Sequence, residues 1–465
     1  MTLDEVRNAT GPVLSDGTAL SELIDPTYRE VSLRVLHDPE IYRLELKNLF
    51  AKAWIAVAHE DEIPNAFDYV LRYVGEDQVI ISRGEDGSVT AALNVCTHRA
   101  SKVCRFEVGN ARTFQCPYHG WAYKADGSFL GSPIGRETMH GTLRRKDELD
   151  LRRGRVEIYA GMIFVAFSDE APTLTEFLGP MTWYYDLMLK RGSGTTVVGH
   201  PQRFTIKANW KCAAEQFAGD IFHTLTLHRS LREEQVISDG DAGEALMPGV
   251  SSGWQGHWIR CFDITKDHWV NALKGSGAEA TTDMDKMRRI PPAGISAEMV
   301  ESLPDRFGED QLHILANYPP LLGQAFPNLG LLLQPFQTPD GQASAFCTIR
   351  IWLPKGPDHF ELIHFSVVEK DAPKELQASV SFLTSLAFGA SGFVEVDDTD
   401  TWPMQSQAAR GALGEHAKLR YQAITGENKP ADWPGPGHIY AGFPKDDTQW
   451  NWWVRYTEFM EGRPW

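Results

Sequence analysis

Two short segments, Cys96-Thr97-His98-Arg99 and Cys116-Pro117-Tyr118-His119, constrain what this chain can fold into more than any others. Each offers one thiol and one imidazole, and 17 residues separate His98 from Cys116. Four such donors can hold one tetrahedral zinc, or one [2Fe-2S] cluster with two thiolates on one iron and two imidazoles on the other. Structural zinc pairs usually leave at least two residues between ligands, whereas a single residue parts Cys96 from His98. Either metal demands a small rigid scaffold that carries the two segments as neighbouring loops.

The flanking sequence supplies such a scaffold. Residues 54–58, 69–74, 78–82 and 89–95 are short β-rich runs, and Gly75-Glu76-Asp77 and Gly84-Glu85-Asp86-Gly87 punctuate them as turns. Further runs at 156–159 and 161–167 close a small antiparallel β domain, predicted over 50–172. Ahead of it, residues 1–49 are read as a helical part, with an amphipathic helix starting near Pro39. The remainder, 173–465, reads as a larger α+β domain: a helix near 178–189, a strand at 202–208, and buried strands at 329–333, 345–353 and 361–369. Residues 236–302 are rich in Gly, Asp and Ala without sustained period, and are expected to form long loops over a cleft.

A second constellation lies in the stretch 209–228. If it is helical, Asp220, His223 and His228 fall within roughly 140° of one another, three polar side chains on one face of an apolar segment. Two neutral imidazoles plus one carboxylate from elsewhere make the facial triad of a non-haem Fe(II) oxygenase, with positions left open for dioxygen. Downstream, Glu395-Val396-Asp397-Asp398-Thr399-Asp400 crowds four acids into six positions, which out of context is a solvated helix end.

Charge and cysteine usage narrow the classes. A formal charge of −17 excludes the basic footprint of a nucleic-acid or anionic-membrane binder. Six cysteines in 465 residues do not make a disulfide scaffold. The chain starts Met1-Thr2-Leu3-Asp4-Glu5 without a basic and apolar leader, and has no apolar run of about 18 residues, so a soluble cytoplasmic protein is expected.

The C-x-H-x17-C-x-x-H pattern, with Tyr118 before the last histidine and Gly120-Trp121 after it, resembles the Rieske [2Fe-2S] motif. Together with Asn209-Trp210-Lys211 and Asp220-x-x-His223-x4-His228, the chain resembles the large (alpha) subunit of Rieske non-haem iron aromatic-ring-hydroxylating dioxygenases, the naphthalene and biphenyl dioxygenase group. The resemblance implies a Rieske domain inserted in the catalytic domain, whose antiparallel sheet is flanked by helices. It also implies Cys96, His98, Cys116 and His119 as cluster ligands, and His223, His228 and Asp398 as ligands of a mononuclear Fe(II), with Asp397 the neighbour that chain spacing cannot separate. Asp220 would bridge His223 to His119 of an adjacent subunit in an α3 ring, and a small β subunit (α3β3) is implied as well. Where the family usually has Gly after His-Arg, this chain has Ala100; if that position needs φ > 0, alanine strains it.

The function so implied is a terminal oxygenase component. It takes O2 and electrons from NAD(P)H through a ferredoxin or reductase, because the chain has no dinucleotide-binding glycine fingerprint of its own, and cis-dihydroxylates an aromatic ring. Gln216, Phe217, Ile221, Thr224, Phe388 and Val394 are the expected substrate wall, mostly apolar. Val394, where naphthalene enzymes carry Trp, points to a bicyclic or larger hydrocarbon. An aromatic carboxylate would need a pocket Arg or Lys; a monooxygenase or demethylase shares the same ligands; a Rieske electron carrier would lack the mononuclear iron. Between 96 and 157, twelve Lys/Arg face seven Asp/Glu, a balance of +5 suited to docking an acidic electron donor.

Overall fold

A computed structural model describes residues 11–134, 146–230, 248–265, 281–337 and 343–465. The chain divides into two compact units, one of 49–174 and one that joins 1–48 to 175–464.

The first unit is built on a seven-stranded antiparallel sheet, in the order Ile55–His59, Met162–Ala166, Arg153–Tyr159, Val89–Leu93, Asp77–Arg83, Asp68–Val74, Val108–Asn110. The strand at one edge, Ile55–His59, and its neighbour Met162–Ala166 are almost wholly apolar, and every residue in them is buried. A three-stranded sheet of Thr113–Gln115, Ala122–Lys124 and Phe129–Gly131 packs with it around Tyr69, Phe114, Trp121, Tyr123 and Phe129. Cys96 and Cys116 belong to that same apolar cluster.

The second unit carries a nine-stranded antiparallel sheet. Its order is Thr195–Val197, His359–Glu369, Ala343–Gly356, Leu329–Gln337, Pro320–Ala325, His257–Phe262, Gly249–Trp254, His438–Ala441, and Gln202–Ile206 also pairs with His359–Glu369. The segment 236–302 therefore departs from the expected long loop. Its described part holds the hairpin Gly249–Phe262, whose residues alternate too little to show period 2 because the hairpin is buried on both faces. A helix, Asp283–Arg289, follows; residues 236–247 and 266–280 lie outside the described residues.

The N-terminal segment is also not solely helical: Ile24–Asp25 and Glu30–Ser32 form a small sheet with Lys418–Arg420. Helix α1 (Pro39–Glu45) starts at Asp38, whose carboxylate accepts the Glu40 N–H, with proline at the first position. Helix α2 (Trp210–Phe217) is capped by Asn209. The Trp210-Lys211 pair anchors α2 on α1. Glu45 accepts from Lys211 Nζ at 2.5 Å, from Trp210 Nε1 at 2.8 Å and from Tyr456 Oη at 2.6 Å, all buried. Breaking a fully buried pair of this kind costs about 3 to 5 kcal/mol. Helices α3 (Lys374–Phe388), α4 (Glu395–Arg410) and α5 (Asp447–Met460) belong to the same unit, as do the helices Thr182–Leu189 and Glu309–Asn317. No helix among the described residues is long and apolar enough to cross a membrane.

Candidate metal centres

The two loops of the first unit follow one hydrogen-bonding scheme. In the first, the Ala100 N–H donates to the Cys96 carbonyl (2.9 Å) and the Cys96 N–H to Ser101 (2.8 Å). In the second, Gly120 donates to Cys116 (2.9 Å) and Cys116 to Trp121 (2.7 Å). Both loops then turn through the left-handed region, at Ala100 with φ +57° and at Gly120 with φ +71°. The strain foreseen at Ala100 is thus present, at a backbone position equivalent to a glycine in the twin loop.

At the loop tips the His98 and His119 rings lie 4.6 Å apart, and His98 stacks on Trp121 at 4.7 Å. Both cysteines are buried and unbridged. Burial pushes the Cys116 thiol up, but the backbone N–H groups of Tyr118 and His119 outweigh it and hold the pKa below its ordinary value. Burial, with His119 beside it, keeps His98 below the ordinary histidine value. The His98 Nδ1 atom is buried without a hydrogen-bond partner. Two buried thiols, one of them acidified, and a neutral imidazole with an orphaned nitrogen are the donors a Rieske cluster requires.

In the second unit the expected helix through 220–228 does not form. Helix α2 ends at Phe217, because Gly219 turns the chain at φ +136°, where an added Cβ would meet Thr448 Oγ1. Asp220 then accepts the His223 N–H at 3.2 Å, and His223 rides a single 3₁₀ turn, Phe222–Leu225, with His228 beyond it. The imidazoles nevertheless converge. One ligand atom each from His223, His228 and Asp398 lies within 4.8 Å of the others. Asp398 comes from the first turn of α4, where Glu395 and Asp398 face inward and Val396 and Asp400 face out. The acid run is therefore a solvated helix end on one face only.

Each imidazole has its Nδ1 beside a carboxylate of its own and its Nε2 toward Asp398. For His228, Nδ1 lies 3.0 Å from Asp397 Oδ2 and Nε2 3.5 Å from Asp398 Oδ1. For His223, the distances are 3.5 Å to Asp220 and 3.8 Å to Asp398. A carboxylate hydrogen-bonded to the far nitrogen, as Asp397 is to His228, fixes tautomer and ring orientation in histidine metal sites; His223 Nδ1 makes no hydrogen bond among the described residues, and Asp220 binds that residue through its backbone N–H. The neighbours that spacing could not separate thus stand on opposite sides of one imidazole. Burial alone would lower His223, but Asp220 and then Asp398 hold it above its ordinary value; burial would raise Asp398, but His228 and His223 hold it below. The donor set is two imidazoles and an ionised carboxylate, which suits Fe(II).

The six expected wall residues fall into separate groups. Phe388 and Val394 join Phe346, Leu383 and Leu332 in one apolar cluster, whereas Ile221 packs with Trp258, Phe262 and Leu321 in another. Phe217 leans on Trp352 at 5.4 Å, and the Thr224 hydroxyl is turned back to the Ile221 carbonyl at 2.7 Å. Gln216 uses both ends of its amide inside the protein: Oε1 accepts from Trp402 Nε1 at 2.6 Å, and Nε2 donates to Asp398 Oδ1 at 2.8 Å. Sequence reasoning missed Trp402, although it lies one helical turn after Asp398 and so on the same face. It also missed Arg350, a buried cation between the rings of Phe217 (5.0 Å) and Phe388 (4.5 Å), paired with Glu395 at 2.9 Å.

Comparison with known proteins gives two family matches, Rieske [2Fe-2S] domain over residues 53–140 and ring hydroxylating alpha subunit (catalytic domain) over 181–428. The chain is 33% identical to the N,N-dimethyl phenylurea N-demethylase subunit alpha of Sphingobium sp. (strain YBL2), over 91% of this chain and 90% of that protein. It is 34% identical to the large oxygenase component of the naphthalene 1,2-dioxygenase system of Ralstonia sp, over 86% and 85%. Among solved structures, naphthalene 1,2-dioxygenase from Rhodococcus sp. bound to indole superposes with a TM-score of 0.81 at 33% identity, covering 93% of this chain and 94% of that one.

Proposed function

This chain belongs to the Rieske ring-hydroxylating dioxygenase alpha subunits, enzymes with a [2Fe-2S] cluster and a mononuclear iron, and on that premise we propose that it cis-dihydroxylates a bicyclic or larger aromatic hydrocarbon. The observation that carries the reading is the convergence of His223, His228 and Asp398, three protein donors of the facial-triad type. Bound there, iron supplies dioxygen activation, and a cluster held by Cys96, His98, Cys116 and His119 supplies its electrons singly. The chain's own side chains do the rest. Asp397 and Asp220 hold the imidazoles in register, and the apolar wall around Phe388 and Val394 excludes water from a flat ring.

Arg350 bears on the choice of substrate. It is the cation that an aromatic carboxylate would need, but Glu395 already contacts it at 2.9 Å and two phenyl rings cover it. That favours a hydrocarbon. A second reading, N-demethylation of an arylamine or arylurea, is favoured by the demethylase relative.

Electrons come from NAD(P)H through a ferredoxin or reductase that docks on the basic stretch 96–157, of which residues 135–145 lie outside the described residues. The ring is at least α3, with a small β subunit, and Asp220 links His223 to His119 of the adjacent subunit; its 3.5 Å approach to His223 supports that role. The test is turnover under ¹⁸O2 with a ferredoxin and reductase, on naphthalene, biphenyl and N,N-dimethyl phenylurea. A cis-diol carrying two labelled oxygens is expected. Exclusive N-demethylation of the urea would establish the second reading, and an inert, fully loaded enzyme would refute both.

A further inference from the structure

Gln216 stands between a fully buried indole and the shared carboxylate. An indole N–H can only donate, so Trp402 Nε1, at 2.6 Å, must meet the Gln216 oxygen. The amide nitrogen then faces Asp398 Oδ1 at 2.8 Å, with His223 Nε2 at 3.4 Å. The flipped amide would set donor against donor at Trp402 and acceptor against acceptor at Asp398, two buried clashes of like polarity. The orientation is therefore fixed from both ends, and neither end of the amide is left for a substrate. Trp402 itself has no exposed surface, and its ring lies 6.0 Å from that of Phe360.

We propose that Gln216 is a positioning residue rather than a substrate contact, and that Trp402 acts through it. The indole N–H locks the amide, the amide holds Asp398 Oδ1, and the carboxylate is thereby held in one rotamer for metal binding. The proposal rests on the reading of His223, His228 and Asp398 as the iron site. Hydrogen-bond partners of metal ligands contribute about 10- to 100-fold in affinity. Because the two residues act in series, their removal should not be additive.

The test uses the full chain with its cluster intact, stripped of mononuclear metal by a chelator and titrated with Co(II), whose visible bands report the site. Trp402→Phe keeps the ring and removes the donor; Gln216→Leu removes both hydrogen bonds. Each is expected to weaken Co(II) binding about 10- to 100-fold and shift its bands, with the Rieske absorption unchanged. The double variant should lie within about threefold of the weaker single. Wild-type affinity in Trp402→Phe, or additive losses, would overturn the relay. If Trp402→Phe loses the parent's far-ultraviolet circular dichroism and so has not folded, Gln216→Leu decides alone: unchanged Co(II) affinity with an altered naphthalene product ratio would make Gln216 a substrate contact. A wild-type chain that takes up no Co(II) would overturn the iron-site reading itself, and this is seen before any substitution is made.

Discussion

The donors in the two units are held by opposite means. In the first unit they sit at the tips of twin loops whose shape is set by backbone hydrogen bonds, four of them between 2.7 and 2.9 Å, and by one left-handed residue per loop. In the second they come from a 3₁₀ turn, the residues after it and a helix about 170 positions downstream, and side chains hold them: Asp220, Asp397, Gln216 and Trp402. A backbone-held site is local, so outside the two segments its geometry depends on few side chains, chiefly Tyr123, whose hydroxyl meets Cys96 Sγ at 3.3 Å and accepts the Thr97 N–H at 3.1 Å. A side-chain-held site is spread through the core, so its geometry depends on residues that touch no metal.

The largest effects should fall on the donors themselves and separate the two regions cleanly. Cys116→Ser is expected to abolish the Rieske absorption. His223→Ala should leave that absorption intact while total iron falls from about three to about two per chain. Iron and acid-labile sulfide analysis with visible spectra reads both. Loss of the cluster spectrum in His223→Ala would show that the two sites do not fold independently, and the comparison would fail.

The same contrast explains what could be read from the sequence. The loop donors are close in sequence and bounded by turns, so C-x-H and C-x-x-H stand out among short strands. His223 and His228 could be named as a pair, but not through the helix first supposed, because Gly219 ends it and the imidazoles meet across an irregular turn. Asp397 and Asp398 could not be told apart by spacing. What distinguishes them is burial on α4, with Asp398 turned inward and Asp397 at the other nitrogen of His228. Arg350 lies on a strand, Ala343–Gly356, whose residues around it are buried on both faces, so no alternation shows which way it points, and nothing local says that Glu395, 45 residues on, will pair with it there. Backbone devices leave a local signature, whereas long-range side-chain pairs do not.

Embedding in buried charge should also give the second unit its own pH response. Glu215, on α2, accepts from Gln449 Nε2 at 2.7 Å and Tyr421 Oη at 3.0 Å, and burial, with Asp220 adding to it, raises its pKa from 4.5 to about 8. The folded state thus favours the protonated acid. The stability this contributes is full below pH 4.5 and is lost as pH rises toward about 8, at about 1.4 kcal/mol per unit. Glu215→Gln should therefore flatten the thermal midpoint between pH 5 and pH 8.5 and leave the variant more stable than the parent at the alkaline end, by a few kcal/mol. A parallel pH profile for the two proteins would show that Glu215 is ionised in the fold.

A smaller effect is expected where a carboxylate only orients a ligand. Asp397→Asn keeps an oxygen near His228 Nδ1 but removes the charge, and should weaken retention of the mononuclear iron by about tenfold under chelator challenge. The cluster has no acid in that position in either loop, so its spectrum should not move. An iron content unchanged by the substitution would mean that the turn alone sets the ring of His228.

The smallest effect tests the twin loops against each other. Ala100 and Gly120 hold the same place in the same scheme, with positive φ in both, yet only one is the residue such a backbone favours. For a residue with a Cβ, that conformation costs roughly 1 to 2 kcal/mol, and Ala100 is exposed, so nothing around it depends on the methyl group. Ala100→Gly should raise the temperature at which the Rieske absorption is lost, by a few degrees at most, since glycine returns part of the gain as unfolded-state entropy. Gly120→Ala should lower it further than the first change raises it, because the new Cβ would also stand 2.6 Å from Pro133 Cγ. Equal and opposite shifts would mean that φ alone governs both loops; a larger loss at Gly120 makes the packing of Pro133 a second lock on the loop that carries Cys116 and His119.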